Sequence, residues 1–381
     1  MRIALCSLTY PLPNGVTSSI NESLDGFLAA GHEVIVISPN YDKAPVRPEH
    51  RIVASSQLIE LVTNPLGNSE RFFGWRAGRQ IRSIIKSFQP DAFWLHTVSP
   101  VSNVFERQMI KSNQSKVLTY HTMLENYGRT YLGPIGAQQM VRRSAEICNS
   151  VDTVITPSQY MAGRLEEYGV IRPIEVIASG IEPIDGSYTK AELAKRFNFS
   201  PDNDLLIFVG RVVKEKNIGA LLKMLADLVK LRPTVTLLLV GPGDIEGTKK
   251  EAEELGVAAN LAFTDQLPLA EARKCYGGAD IFVFASQTET QGLVVGEAMS
   301  VGVPVVALKS PIQKEVYPDD VAVVVYDEKL FASEVDKLLK DAPRMKLLAT
   351  KGKQFVTKHF SKEIMIERQI AVFEALVHPT A

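Results

Sequence analysis

Cysteine is scarce in this chain. Its 381 residues include only Cys6, Cys148 and Cys275. They are far apart and without ligand spacing, so no zinc site and no disulfide framework organises the fold. Cys6 lies in an apolar stretch, where a buried free thiol suits a reducing compartment. An excess of one charge is also missing: 42 basic residues face 43 acidic ones, for a net charge of −1. That removes the broad positive field that general nucleic-acid binding requires. Long hydrophobic runs are absent, and stretches such as VTLLLV at 235–240 fall far short of the roughly 20 residues that span a bilayer. The opening MRIALCSLTYP reads as a short strand ending at proline, not as a secretory signal. No repeat or low-complexity tract stands out. The expected location is the cytoplasm, free or peripherally held on a membrane face.

What is present is ordinary globular material, 45% hydrophobic and 22% charged, in a chain long enough for two cores. One stretch organises the rest: ADIFVFASQTETQGLVVGEAMSVGVPVVA at 279–307. Residues 281–284 read as a buried parallel strand and 286–291 as a polar loop. Residues 292–301 read as a helix closed by Gly302 and Pro304, and 303–307 as the next strand. Glu289 falls in the loop and Glu297 in the helix, a separation worth about 12 Å of helix axis. Both carboxylates can accept hydrogen bonds from hydroxyls, and the unpaired amides around Gly292, Leu293 and Val294 suit an anion. The plainer account is two solvated glutamates, as most are. The neighbouring apolar strand and the small Gly296 and Ala298 weigh against it.

The remaining chain alternates strands with loops and helices. Strands are expected at 3–8, 32–38, 91–96, 116–121 and 151–157, then at 205–209, 235–241 and 261–267. This is a doubly wound α/β pattern, in which ligands bind at the carboxyl ends of strands. Loop 9–19 carries Asn14 and Gly15 before a helix at 20–30, and as a lone signal it is a turn. His121 emerges at a strand's carboxyl end, although a packed or surface histidine is the commoner account. Gly210, Arg211 and Lys216 follow strand 205–209. A guanidinium fork with a mobile ammonium neutralises a diphosphate; two solvated loop cations are the bland alternative. ERFFGWRAGRQIRSIIKSF at 70–88 sets Arg71, Arg76, Arg79, Arg82 and Lys86 among Phe72, Phe73 and Trp75. It reads either as a basic amphipathic helix for an anionic membrane surface or as an outer helix with Ile81, Ile84 and Ile85 in the core. Both hold if its aromatic end protrudes. Final helices are expected at 328–340, 344–359 and 362–377.

These motifs carry a family resemblance. E-T-Q-G-L-V-V-G-E at 289–297 resembles the E-x-F-G-L-x-x-x-E signature of retaining glycosyltransferases of family 4, with Gln291 in place of the Phe. Gly210, Arg211 and Lys216 match that family's G-R-x-x-x-x-K, and Gly15 stands where it often has a Gly-Gly pair. H-T-M-L-E-N-Y at 121–127 resembles the H-T-x-x-E-D-Y stretch of bacterial diacylglycerol glycosyltransferases, with Asn126 replacing Asp. The resemblance implies the GT-B fold: α/β, two Rossmann-like doubly wound domains facing a central cleft. An acceptor-side domain would span 1–182, with a helix at about 362–381 crossing back to it, and a nucleotide-sugar domain 183–361.

It further implies catalytic roles for His121 and Glu289, near the donor hydroxyls and the reacting centre, and a ribose contact for Glu297. Donor binding would involve Gly15, Gly210, Arg211, Lys216, Gln291, Gly292, Leu293, Val294 and Glu297. An acceptor and membrane surface would involve Phe72, Phe73, Trp75, Arg76, Glu125, Tyr127 and Arg129, beside an apolar patch of Tyr131, Leu132, Pro134 and Ile135 with Arg142 and Arg143. The expected reaction transfers a hexose with retention, with no cofactor beyond a nucleotide-sugar substrate, UDP-glucose by analogy. Asp202 and Asp204 precede their strand instead of following it, so a metal-bridged diphosphate is not expected. The acceptor reads as a membrane lipid such as diacylglycerol, or as a soluble sugar or polysaccharide precursor. A sugar-nucleotide epimerase shares the fold and stays open, whereas a two-domain sugar-binding protein gives no reason for Arg211 and Lys216.

Overall fold

The computed structural model describes residues 1–12, 14–42, 46–56, 71–96, 98–99 and 103–378, with backbone alone at 126–132. The chain divides into two compact units, Met1–Gly180 with Lys362–Ala381, and Ile181–Ser361. In the first unit, β1 (Arg2–Cys6), β2 (Glu33–Pro39), β3 (His50–Val53), β4 (Ala92–Leu95), β5 (Ser115–Thr119), β6 (Thr153–Thr156) and β7 (Ile174–Val176) form one parallel sheet, in the order β3-β2-β1-β4-β5-β6-β7. Helices α1 (Gly15–Ala29), α2 (Ala77–Phe88), α3 (Val104–Lys111), α4 (Leu124–Asn149) and α5 (Gln159–Glu167) connect its strands.

The second unit holds a parallel sheet of β8 (Asp204–Val209), β9 (Val235–Val240), β10 (Leu261–Phe263), β11 (Ile281–Phe284), β12 (Val305–Leu308) and β13 (Val323–Val325), in the order β10-β9-β8-β11-β12-β13. Its helices are α6 (Lys190–Phe197), α7 (Ile218–Leu231), α8 (Ile245–Glu254), α9 (Leu269–Lys274), α10 (Leu293–Ser300), α11 (Gln313–Val316), α12 (Phe331–Leu339) and α13 (Ala342–His359). The last helix, α14 (Lys362–Val377), belongs to the first unit.

Strands such as AFWL in β4 and IFVF in β11 are buried throughout, because helices cover both faces of each sheet. Alternation assigns the faces. Ala4 and Cys6 of β1 join Phe93, Leu95, Phe105 and Met109 on one side. Ile3 and Leu5 join Phe27, Trp94 and Phe373 on the other. There the rings of Phe27 and Trp94 lie 5.3 Å apart and those of Trp94 and Phe373 4.9 Å apart, so α1 and α14 close that face together. The three cysteines are buried. Burial pushes the Cys148 thiol up to about 12 and the Cys275 thiol up to about 11, which withholds the reactive thiolate.

Several elements differ from the expectations. Helix α1 starts at Gly15, not at 20, because Asn14 caps it by accepting the Thr17 amide at 2.9 Å. The expected helix over 70–88 exists only as Ala77–Phe88, and Glu70 lies outside the described residues. Before it, the chain runs extended: Phe73 bridges Ser55, and the Ser56 amide donates to Phe72 O at 2.8 Å. This turns Phe72 and Phe73 inward, where they are 8% and 9% exposed in the core with Val53 and Ile81. Phe72 and Phe73 are therefore core residues, not part of a membrane surface. Trp75 is 86% exposed, with the Arg76 guanidinium 4.9 Å from its ring centre. Strands β3, β7 and β13 and helices α3, α4, α6, α8 and α11 were not anticipated. No helix among the described residues is long and apolar enough to cross a membrane.

Phe72→Ser should cost about 3 kcal/mol in urea unfolding, as loss of a buried aromatic does. Trp75→Ser should stay within about 0.5 kcal/mol. Equal costs would take Phe72 out of the core.

Candidate active site

In the second sheet the chain winds outward through β8, β9 and β10, then restarts at β11 beside β8. Ile281 faces Leu206 and Phe282 faces Ile207 across that pair. A switch point of this kind is where open α/β sheets hold ligands, at the carboxyl ends of the strands. After β8 the chain passes Gly210 and Arg211, and Val212 O accepts the Asp244 amide at 2.8 Å. Gly243 sits at φ 153°, and a Cβ there would stand 2.1 Å from Val212 O, so only glycine permits this approach.

A short 3-10 turn, Lys214–Lys216, ends at Asn217. The Asn217 side-chain Nδ2 donates to Ala285 O at 3.3 Å, and the Thr288 hydroxyl donates to Glu215 O at 3.3 Å. These bonds clip the two loops together. Between them Lys216 Nζ lies 2.5 Å from Glu289 Oε1, with the side chains 19% and 16% exposed. Arg211 stands apart from this pair. Its side chain is 58% exposed and meets Glu215, four residues on, in an ion pair, which contributes little in water.

Gly292, at φ 70°, turns the chain into α10, and no side chain caps the helix. The amides of Leu293 and Val294 in its first turn have no intrahelical partner. Gln291, just before it, is buried. Glu297 lies further along α10 and is 7% exposed. Its Oε1 accepts from Arg273 Nε at 2.8 Å and its Oε2 from the Tyr276 hydroxyl at 2.9 Å. Arg273 also donates to Glu182 Oε2 at 3.2 Å. Burial, and then the neighbouring carboxylate, raise the Tyr276 pKa well above its ordinary value. Glu289 and Glu297 thus hold different cations. Glu297 keeps a second lone pair on each oxygen for a further donor.

In the first unit the winding reverses between β1 and β4. Gly15 opens α1 beyond β1. His96 directly follows β4, and His121 leaves the neighbouring β5. Nδ1 of His96 lies 3.0 Å from Nε2 of His121. The rings are stacked, with centroids 5.2 Å apart and planes 24° apart. Burial lowers the His121 pKa to about 4. It also holds His96 well below 6.5, with His121 as the lesser cause. Both imidazoles are neutral at pH 7. Sequence reasoning named His121 and missed His96, although L-H-T at 95–97 and Y-H-T at 120–122 end two strands alike.

Two family models account for most of the chain: Glycosyltransferase Family 4 over residues 13–184 and Glycosyl transferases group 1 over residues 189–355. The alpha-monoglucosyldiacylglycerol synthase of Streptococcus pneumoniae is 28% identical, across 96% of this chain and 84% of that protein. The synthase of the same name from Acholeplasma laidlawii is 25% identical, across 96% and 94%. The structure of sucrose-phosphate synthase from Thermosynechococcus elongatus superposes with a TM-score of 0.80 at 19% identity, covering 100% of both chains. The chain is a glycosyltransferase of the GT-B fold.

Residues of this glycosyltransferase expected on the acceptor side fare unevenly. Glu125 is 8% exposed and accepts from Arg164 Nη2 at 2.9 Å, tying α4 to α5. It is a buried structural partner, not an open acceptor contact. The side chains of Tyr127, Arg129, Tyr131 and Leu132 lie outside the described residues. Helix α4 breaks at Gly133 ahead of Pro134, and Ile135 beyond the break is 73% exposed. Arg142 is exposed. Arg143 is turned inward, pairing with Glu106 and donating to Ser99 O at 3.1 Å.

The two glutamates should separate in stability measurements. Glu297→Ala leaves the buried Tyr276 hydroxyl without its acceptor and the partly buried Arg273 with Glu182 alone, and should cost about 3 kcal/mol. Glu289→Ala leaves a lysine that water reaches, and should cost about 1 kcal/mol or less. Chemical denaturation of both variants checks this. A separate NMR titration should find the His121 ring neutral from pH 8 down to 5 and half-protonated near pH 4; a midpoint near 6.5 would contradict the buried pair.

Proposed function

We propose that the chain moves a hexose, glucose from UDP-glucose, onto a diacylglycerol-type membrane lipid with retention of anomeric configuration. The observation that carries the reading is the Lys216–Glu289 pair beside the uncapped start of α10 at the sheet's switch point. A nucleotide diphosphate placed there draws Lys216 away from Glu289. Arg211 swings from its weak surface pair to join it, and the first amides of α10 complete the cradle. These donors meet charge where it develops on the leaving diphosphate. They supply that charge from the chain itself, so the transfer is independent of metal. Released from the lysine, Glu289 accepts hydrogen bonds from sugar hydroxyls. Glu297, held firm by Arg273 and Tyr276, accepts from the ribose. Neutral His121 orients the sugar near the reacting carbon. The acceptor oxygen bonds to that carbon as the carbon–phosphate-oxygen bond breaks, and the acceptor proton passes to the departing phosphate oxygen.

The lipid acceptor is supported by the names of relatives that match nearly the whole chain. Exposed Trp75 with Arg76, Arg79, Arg82 and Lys86 on or beside α2 provides an aromatic and basic surface for anionic headgroups.

The test is nucleotide release from a panel of sugar nucleotides, with and without vesicles of diacylglycerol in anionic phospholipid. Release should favour UDP-glucose, require the lipid and persist in EDTA. It should fall on the order of 100-fold or more in Glu289→Ala, as for loss of a group engaged at the reacting centre. Trp75→Ser should raise the vesicle concentration needed while leaving thermal stability unchanged. Equal release without lipid would sink the lipid acceptor in favour of a soluble one or epimerase chemistry, and no release with any donor would sink the transferase reading.

A further inference from the structure

His96 is 2% exposed, and its backbone amide donates to Cys6 O at 2.9 Å, which fixes it between β1 and β4. Its ring lies against Trp94, with centroids 4.5 Å apart, and Trp94 is pinned by its indole N–H donating to Thr119 Oγ1 at 2.8 Å. The one hydrogen bond its ring makes among the described residues is to His121. One proton lies between His96 Nδ1 and His121 Nε2, 3.0 Å apart. The other ring nitrogen of His96, Nε2, is buried and has no hydrogen-bond partner among the described residues.

That orphan decides which imidazole donates. If His121 donated, the second proton of the neutral His96 would sit on Nε2 as a buried N–H without an acceptor among the described residues. If His96 donates, Nε2 carries a bare lone pair. Orphaned buried N–H groups are the rarer case in proteins, so the second arrangement is favoured. The choice propagates. With Nε2 of His121 used as the acceptor, the proton of neutral His121 must lie on Nδ1.

We propose that His96 is a positioning residue for His121: it donates from Nδ1, fixes the plane and tautomer of the His121 ring, and leaves His121 Nδ1–H as a hydrogen-bond donor to the sugar. The kinetic consequence rests on the transferase reading above; the tautomer does not. His121 then acts on a sugar oxygen as a neutral donor and not as a base.

The experiment uses the full chain, ¹⁵N-labelled, with long-range ring correlations read between pH 6.5 and 8. Wild type should show His121 protonated at Nδ1. His96→Phe should relax it to the tautomer mixture of an unconstrained imidazole. His96→Asn, whose amide nitrogen falls near the imidazole Nδ1, should restore the wild-type form. In the transfer assay His96→Phe should lower kcat by on the order of 10–100-fold, with KM for the nucleotide sugar changed less than about 3-fold and the Asn variant recovering most of the rate. If the Phe variant does not fold, His96→Gln, whose amide reaches the Nε2 position instead, takes its place.

An Nε2-protonated His121 in wild type, or an unchanged tautomer after the Phe substitution, overturns the proposal. So does equal loss of rate in the Phe and Asn variants. Absence of any transfer by wild type would overturn the transferase reading, and the ring spectra would still decide the pair.

Discussion

Parallel strands cannot be joined by tight turns; each needs a crossover, and a sheet covered on both faces must be wound outward from an inner strand and restarted beside it. Both units obey that constraint, with the restart falling between β1 and β4 in one and between β8 and β11 in the other. In open α/β sheets such a restart, at the carboxyl ends of the two strands, is where ligands bind. Polar side chains can project there without paying the cost of a packed core. Lys216 and Glu289 come from the two loops at one such point, and His96 stands at the other. The chemistry is located by winding order before any side chain is chosen.

Charge in the second unit is handled in two ways, and the difference follows from burial. Glu297 faces the interior of its unit, where an unpaired carboxylate is costly, so both oxygens are engaged by Arg273 and Tyr276. Removing either partner strands the other, so that cluster behaves as a fixed frame. Lys216 and Glu289 are more exposed, and each is a charge for which water can substitute. A pair of that kind separates at modest cost when a stronger anion arrives for the lysine. A rigid ion cluster midway along α10 and an exchangeable pair ahead of its first turn suit a site that must first hold a ligand and then respond to it.

Much of this was legible in the chain. The apolar runs of β1, β8, β9 and β11 announce themselves because buried parallel strands need no polar face. Gly210, Arg211, Lys216, Glu289 and Gly292 could be placed because each follows such a run. The failures have local causes. Phe72 and Phe73 fit a helical amphipathic pattern with the arginines that follow, yet the pairing of Phe73 with Ser55 is a long-range contact that periodicity does not record. Strand β3 is four residues at a sheet edge, HRIV, too short and too polar to stand out. Helix α1 was started late because its cap, Asn14, also reads as a turn residue. Glu125 looked available because sequence gives no sign of Arg164 across the interface of two helices.

His96 was hidden for a different reason. A lone histidine carries little information, since burial, surface and ligand roles all accommodate it. Its meaning comes from the register of β4 against β5, Leu95 facing Leu118, which brings the two strand ends side by side. Once they are adjacent, low exposure sets the rest. Two imidazoles in a dry setting cannot both be charged, and one proton must be shared along the line between them. Which ring donates is then fixed by what surrounds the deeper one. Trp94 and the β1 backbone offer His96 Nε2 nothing to donate to. The state of His121 at the rim is thus set by the residue beneath it, and a sheet's strand order reaches the protonation of one nitrogen.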